Sequence, residues 1–282
     1  MRTYFTLLLI VVVLTGSAQS EILGAERELA AAFQKMRAAD SDESRRAASD
    51  DFKSLLLDAL DDSRSFDYPF ESLPMCKLTS PDGAFRLFNW NVPMDDGSHI
   101  YEAMMMIESG KEAYETIELK DDSERISRPA RKKLGADDWY GALYFRIIPL
   151  SKRSKEYLLL AWDGADALTN RKIIEVLRIQ GKKPVFGSPI FKQKERGLRR
   201  VFLDYPEDIV LSLVYDERNE RLVFDHMAPP RPELEGRYEF YSPDSSYDAY
   251  WLEQGKLRLE NNVEFNRQRE PKDKDFYDPR VK

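Results

Sequence analysis

Apolar residues along this chain keep two different rhythms. Between residues 22 and 60 they recur at three-, four- and seven-residue steps, the spacing of one face of a helix. Ile22, Leu29, Phe33 and Met36 predict a helix over Ile22 to Arg37. Ala38 to Arg46 is polar and charged, and reads as a loop. Phe52, Leu55, Leu56, Ala59 and Leu60 predict a second helix, with Ser49 and Asp50 offering N-cap oxygens. It ends at Asp61-Asp62-Ser63, where carboxylates oppose the helix dipole. Two helices with narrow apolar faces do not make a domain. Phe66, Tyr68, Phe70, Leu73 and Met75, broken by Pro69 and Pro74, read as an extended segment that staples them to a larger body.

From Pro81-Asp82-Gly83 the period falls to two, and strands follow. Arg86, Phe88, Trp90 and Val92 share one face, Phe85 and Leu87 the other. Asp95-Asp96-Gly97-Ser98 has hairpin chemistry, and Ile100 to Ile107 returns from it. The methionines at 104 to 106 read as gap-filling core rather than a soft-metal site. Further strands are predicted at Tyr114–Leu119, Trp139–Leu150, Lys155–Asp163, Arg171–Ile179, Leu198–Tyr205 and Ile209–Tyr215. Val185-Phe186 and Ile190-Phe191, which flank Gly187-Ser188-Pro189, read as a bulged or edge strand, and Leu222–His226, Tyr238–Tyr241, Tyr247–Leu252 and Lys256–Leu259 complete the set. Arg171–Ile179 is apolar on both faces, and its β-branched content and the following Gln180-Gly181 favour a strand over a helix. Residues 121 to 138 form the longest loop.

Short strands with hairpin-length links predict a mainly β chain. Its expected form is an antiparallel meander, either a large sandwich or a propeller-like stack, with a short N-terminal helical segment. No repeat at a propeller period is evident. The expected organisation is a signal peptide at 1–20, a helical lead-in and linker at 21–74, a β domain at 75–263 and a polar tail at 264–282.

The first of these rests on Arg2, the unbroken apolar run Leu7 to Leu14, and the small and polar residues that follow it. That order is the pattern of a secretory signal peptide, with cleavage near Ser20. The apolar run is shorter than the ~20 residues a membrane span needs. The expected location is therefore periplasmic or extracellular, with no membrane span in the mature chain.

Composition narrows the picture further. Of 282 residues, 42% are hydrophobic and 12% aromatic, which is enough for a core and excludes global disorder. A net charge of -7 with signs mixed along the chain argues against a nucleic-acid partner. Cys76 is the one cysteine, so no intramolecular disulfide can form, and its Pro-flanked setting reads as buried and inert. His99 and His226 add two scattered ligands, too few for a zinc site, and no metal or cofactor is predicted.

Candidate chemistry gathers at strand ends. Trp90 between Asn89 and Asn91, and Trp162 beside Asp163, have the composition of a carbohydrate cleft, although buried tryptophans at strand ends account for them equally. Asp163, Asp166 and Asn170 lack the ligand spacing of an EF-hand. His226 would suit a general base if a carboxylate held it, but Asp225 is its chain neighbour and points to the opposite face of a strand. Tyr241, Asp244, Tyr247 and Asp248 offer oxygen ligands for Ca²⁺ or rings for a sugar, and also the ordinary chemistry of a hydrogen-bonded turn. The binding candidates are therefore Trp90, Trp162, Asp163, His226, Tyr241, Asp244 and Asp248, and no residue is assigned a catalytic role.

At Phe88-Asn89-Trp90-Asn91, Trp139-Tyr140-Gly141-Ala142-Leu143-Tyr144, Leu160-Ala161-Trp162-Asp163-Gly164 and Tyr241 to Asp248 the chain resembles a group of exported bacterial proteins of unknown function. The resemblance covers about residues 75–263. It implies an envelope location and carries no catalytic motif. The expected function is a non-catalytic binding or envelope-associated module, with an envelope protein or a glycan as partner. The alternative is a hydrolase that attacks a glycan or other envelope polymer through paired carboxylates.

Overall fold

The computed structural model describes residues 3–111, 113–151 and 155–265, with side chains described from Glu21 onward. The residues read as a targeting segment and most of the polar tail therefore lie outside the described side chains. Strands take 44% of the chain and helices 22%, so it is mainly β, as an antiparallel-rich meander with helices near the N-terminus. The chain divides into two compact units. One comprises the chain up to Met75 together with Glu108–Thr116; the other comprises Cys76–Ile107 and the chain from Ile117 onward.

The first unit is built on α1 (Thr3–Ala38) and α2 (Asp42–Leu60). Phe33 and Phe52 meet edge to face at 5.3 Å across the helix pair. The second helix starts earlier than its apolar pattern suggests. Ser41 is its N-cap, and Ser41 and Ser44 form a reciprocal capping box. Ser49, expected at the cap, is instead buried inside α2. The polar run read as a loop is largely the solvated first turns of this helix. Beyond it, Asp62 caps a short 3-10 turn, Ser63–Phe66. The segment after that is held by Glu26, a buried carboxylate on α1. It accepts hydrogen bonds from Tyr68 Oη and from the Ser72 main chain, each at 2.6 Å. Phe66 stacks on Tyr114 at 4.0 Å, which ties the 108–116 segment into this unit.

The strands form three sheets. The first runs in order β1 (Cys76–Thr79), β2 (Phe85–Pro93), β3 (His99–Gly110), β4 (Ala113–Leu119). The second contains β5 (Leu143–Pro149), β6 (Glu156–Asp163), β7 (Thr169–Gln180), β8 (Lys183–Phe186) and β10 (Arg200–Pro206), in order β10-β7-β6-β5 with β8 also on β7. The third holds β9 (Phe191–Lys192), β11 (Leu213–Asp216), β12 (Arg221–Ala228), β13 (Ser242–Glu253) and β14 (Lys256–Val263), in order β11-β12-β13-β14-β9. Only the β14–β9 pair is parallel among the strand pairs described. No barrel closes among them.

Phe85, Leu87 and Met105 from the first sheet, Tyr144, Leu158 and Ile174 from the second, and Leu222, Phe224 and Tyr250 from the third belong to one hydrophobic core. The opposite face of β2 and β3 is buried as well, at Phe88, Trp90, Met104 and Met106. β6 is buried from Tyr157 to Asp163, consistent with a central strand covered on both sides.

Two buried polar arrangements hold the long loop and the sheets in place. Glu175 on β7 accepts from Arg200 Nε on β10 at 2.5 Å and from Tyr144 Oη at 2.8 Å. Arg200 also donates to the Pro129 and Lys132 carbonyls, which pins the 121–138 loop. Asn89 acts as a stand-in for a neighbouring strand. Its Oδ1 accepts the Tyr144 N–H at 2.8 Å and its Nδ2 donates to the Tyr144 carbonyl at 3.4 Å.

Several element boundaries differ from their sequence expectation. Tyr238–Phe240 is a 3-10 turn rather than a strand. Gly236 holds a φ of 83° just before it, a turn geometry, and prolines at 229, 230 and 232 remove donors a ladder would need. Ladder pairing in the Ile209–Tyr215 run starts only at Leu213, and in the Trp139–Leu150 run only at Leu143.

Candidate functional site

The β12–β13–β14 ladders both lose register at one place. Asp225 pairs with Tyr247 and Met227 with Pro243, so three residues of β13, Asp244 to Ser246, oppose the single residue His226. On the other side Tyr247 pairs with Val263 and Ala249 with Glu260, so Asn261 and Asn262 oppose Asp248 alone. Each bulge contains a left-handed residue that is not glycine, Ser245 at φ 71° and Asn262 at φ 55°. Such geometry costs a side-chain-bearing residue ~1–3 kcal/mol and re-aims neighbouring side chains.

The groups re-aimed here are His226 and Asp248. Asp248 is buried, and its Oδ2 lies 2.8 Å from His226 Nδ1 while its Oδ1 accepts the Asn262 N–H at 3.1 Å. An ionised carboxylate only accepts, so Nδ1 carries a ring hydrogen, and whenever the ring is neutral Nε2 is the acceptor. The His226 side chain is 37% exposed, and its Nε2 has no hydrogen-bond partner among the described residues. Asp225, the chain neighbour, turns the other way and accepts the Ser212 N–H at 2.7 Å. The histidine is thus held by a carboxylate, but across the ladder rather than along the chain.

Asp244 closes the bulge itself, accepting from Ser246 N at 2.9 Å and Ser246 Oγ at 2.7 Å. These bonds from Ser246 hold its carboxyl below the usual range. A cavity of about 380 Å³ opens beside the two bulges, lined by Ser245, Ser246, Tyr247, Asn262 and Phe265 among others.

Beyond Ala228 and Ser242, which pair at the end of the ladder, the hairpin continues as residues 229–241. Tyr241 Oη accepts the Gly236 N–H at 2.9 Å, and the Tyr238 and Tyr241 rings lie 5.0 Å apart. Arg237 sits over the Phe240 ring at 4.6 Å and is paired with Glu239. Tyr238 is 39% exposed and Phe240 45%. Two aromatic rings are therefore presented to solvent by a segment with its own internal bonds.

Trp162 and Asp163 belong to a different arrangement, at the end of β6. Asp163 Oδ1 accepts from Tyr101 Oη at 3.0 Å and Oδ2 from Tyr140 Oη at 2.9 Å. Arg171 donates to Tyr140 Oη at 2.7 Å and, through Nε, to Asp204 at 2.5 Å. Burial pushes the Asp163 carboxyl above its ordinary range, against the opposing pull of Arg171, Tyr140 and Tyr101. Trp162 packs edge to face on His99 at 5.2 Å, and His99 Nδ1 lies 2.8 Å from Asn91 Nδ2. Tyr101, Tyr140, Trp162 and Asp163 are buried, and the network fastens β3, the 140 segment, β6, β7 and β10 together.

The seven candidates thus fall into three places. Trp90 is buried on β2, Trp162 and Asp163 sit in the Tyr101–Tyr140–Arg171 network, and His226, Tyr241, Asp244 and Asp248 share the β12–β13 hairpin. Tyr238 and Phe240 were legible only as a strand, although the prolines and Gly236 around them signalled a loop. Tyr101 and Arg171 come from separate strands and Tyr140 from the segment before β5, and no local pattern marks them. Burial raises the Cys76 thiol to about 11, consistent with an inert cysteine. Among the described residues, no three His, Cys, Asp or Glu side chains converge as metal ligands.

Neither family models, nor curated proteins, nor solved structures give a match to this chain.

Proposed function

We propose that this chain is an exported, non-catalytic binding module of the cell envelope, and that its contact surface is the open end of the β12–β13 hairpin. The observation that carries this reading is the pair of solvent-facing rings, Tyr238 and Phe240, on a loop braced by the Tyr241–Gly236 bond. Aromatic side chains offer large contact area at little conformational cost, which is why they dominate recognition surfaces. His226 Nε2 adds a directed acceptor on the same hairpin.

The disposition of the carboxylates favours this reading over a hydrolase. Glycoside cleavage needs two carboxyl groups facing each other across a substrate. Asp163 is committed to two tyrosines, Asp225 to the Ser212 main chain, Asp244 to Ser246, and Asp248 to His226 and Asn262. Export and an envelope partner rest on the N-terminal pattern and on the resemblance to exported bacterial proteins.

Co-sedimentation of the exported chain with isolated envelope material tests the reading. The wild type is expected in the pellet and the Y238A/F240A variant in the supernatant, both with the same thermal midpoint. Release of new reducing ends from the envelope material by the wild type would favour the hydrolase instead.

A further inference from the structure

Resting on that hairpin as the contact surface, we propose that it binds a neutral glycan, with sugar rings stacked on Tyr238 and Phe240 and a sugar hydroxyl donating to His226 Nε2. The ligand class follows from what the surface offers and from what it refuses. An aromatic ring presents a flat apolar face, and a pyranose is one of the few hydrophilic groups with a flat C–H face to lay on it. The same ligand carries hydroxyl donors around its rim. In its neutral form His226 supplies the matching acceptor, since the carboxylate at Nδ1 places the one ring hydrogen there and leaves Nε2 its lone pair. The Asn262 N–H on the other oxygen of Asp248 keeps that carboxylate, and hence the ring, in one orientation.

One other ligand class fits poorly. Between residues 225 and 248 the hairpin carries six carboxylates against two arginines, and Arg237 is already paired with Glu239. An anionic polymer would meet like charge there. His226 stands two residues up β12 from Ala228, whose partner Ser242 follows Tyr241 directly, so the acceptor and the ring-bearing loop belong to one hairpin.

The test is titration of the exported chain, followed by ¹⁵N–¹H NMR and calorimetry, with cello-, malto- and chito-tetraose, and with a lysine-rich and an acidic peptide as controls. The expected result is saturable binding of at least one tetraose, with shifts confined to residues 226–248 and 261–263. H226A is expected to weaken it ~5-fold, the loss of about one hydrogen bond. F240L keeps apolar area but removes the ring, and is expected to weaken binding as Y238A does. Retained sedimentation with envelope material but no binding of any tetraose would overturn the glycan assignment and leave the hairpin as the contact surface. Tetraose binding unchanged in folded Y238A, F240L and H226A variants would overturn the site itself.

Discussion

Asp248 Oδ2 lies 2.8 Å from His226 Nδ1, and the two residues meet across the β12–β13 ladder at the point where its register breaks. In a regular ladder the facing partner of His226 would be a single β13 residue; here three residues bulge outward and leave the buried Asp248 as the group the ring can reach. The relationship dictates a tautomer, and with it the chemistry the histidine shows to solvent.

That tautomer is measurable. In the neutral wild-type ring the hydrogen should sit on Nδ1, as read from the ¹⁵N shifts of the two ring nitrogens. In D248A the ring should revert towards the Nε2–H form that free histidine prefers. The stability cost should be small, about 1 kcal/mol, because the Asn262 N–H and the half-buried ring can both find water.

Gly164 follows the Asp163 carboxylate and has no room for a side chain. A Cβ there would stand 2.5 Å from His99 Cδ2 and 2.8 Å from Trp162 Cη2. Its φ is not left-handed, so the constraint is contact alone. G164A should therefore destabilise the fold by ~1–3 kcal/mol through overpacking, read as a lower urea midpoint with an unchanged slope. Pairing it with H99A, which opens the space, should recover part of the loss.

The raised carboxyl of Asp163 makes a signed prediction for pH. A folded-state value above the unfolded 3.8 means that the folded chain binds this proton more tightly. The contribution to stability is fully present below the unfolded value and is lost as pH rises through the folded value. D163N does not titrate. The stability of the wild type relative to D163N should therefore be greatest in acid and decline towards neutral pH, as measured by denaturant melts of both proteins across that range. A difference that grew with pH would show the carboxyl to be held below its ordinary range instead.

The Glu175–Arg200 pair tests the bracing of the long loop. Both side chains are buried, and Arg200 also donates to the Pro129 and Lys132 carbonyls. Removing one partner should cost roughly 3–5 kcal/mol, because the other is left as an uncompensated buried charge. R200M should also raise hydrogen exchange across residues 129–134. The double change E175L/R200M should be more stable than R200M alone, since it removes the stranded carboxylate along with its partner.

Much of the architecture was legible in the chain itself. The switch from helical spacing to alternation near Gly83 separates α1 and α2 from the strands, and the both-faces-apolar run of β7 marks it as covered on both sides. The errors lie where a local signal competes with another. The Ser41–Ser44 capping box starts α2 within a run too polar to show an apolar face. Tyr238 to Tyr241 alternates like a strand, but has prolines and Gly236 upstream that turn it into a loop.

The site was legible only in its parts. His226, Tyr241, Asp244 and Asp248 could be named as candidates from residue type, because His, Asp and Tyr carry the groups that bind. Their relationships could not, since hydrogen bonds across strands depend on register, and register here is broken by two bulges with no glycine to announce them. The chain by itself determined the kinds of element, the faces that must be buried and the chemical groups on hand, because those follow from local spacing and composition. The tertiary structure alone decided that Asp248 rather than Asp225 holds His226, and that Asp163 is locked inside a tyrosine–arginine network. The same is true of the exposure of Tyr238 and Phe240, because each of these outcomes depends on which distant residues the sheets bring together.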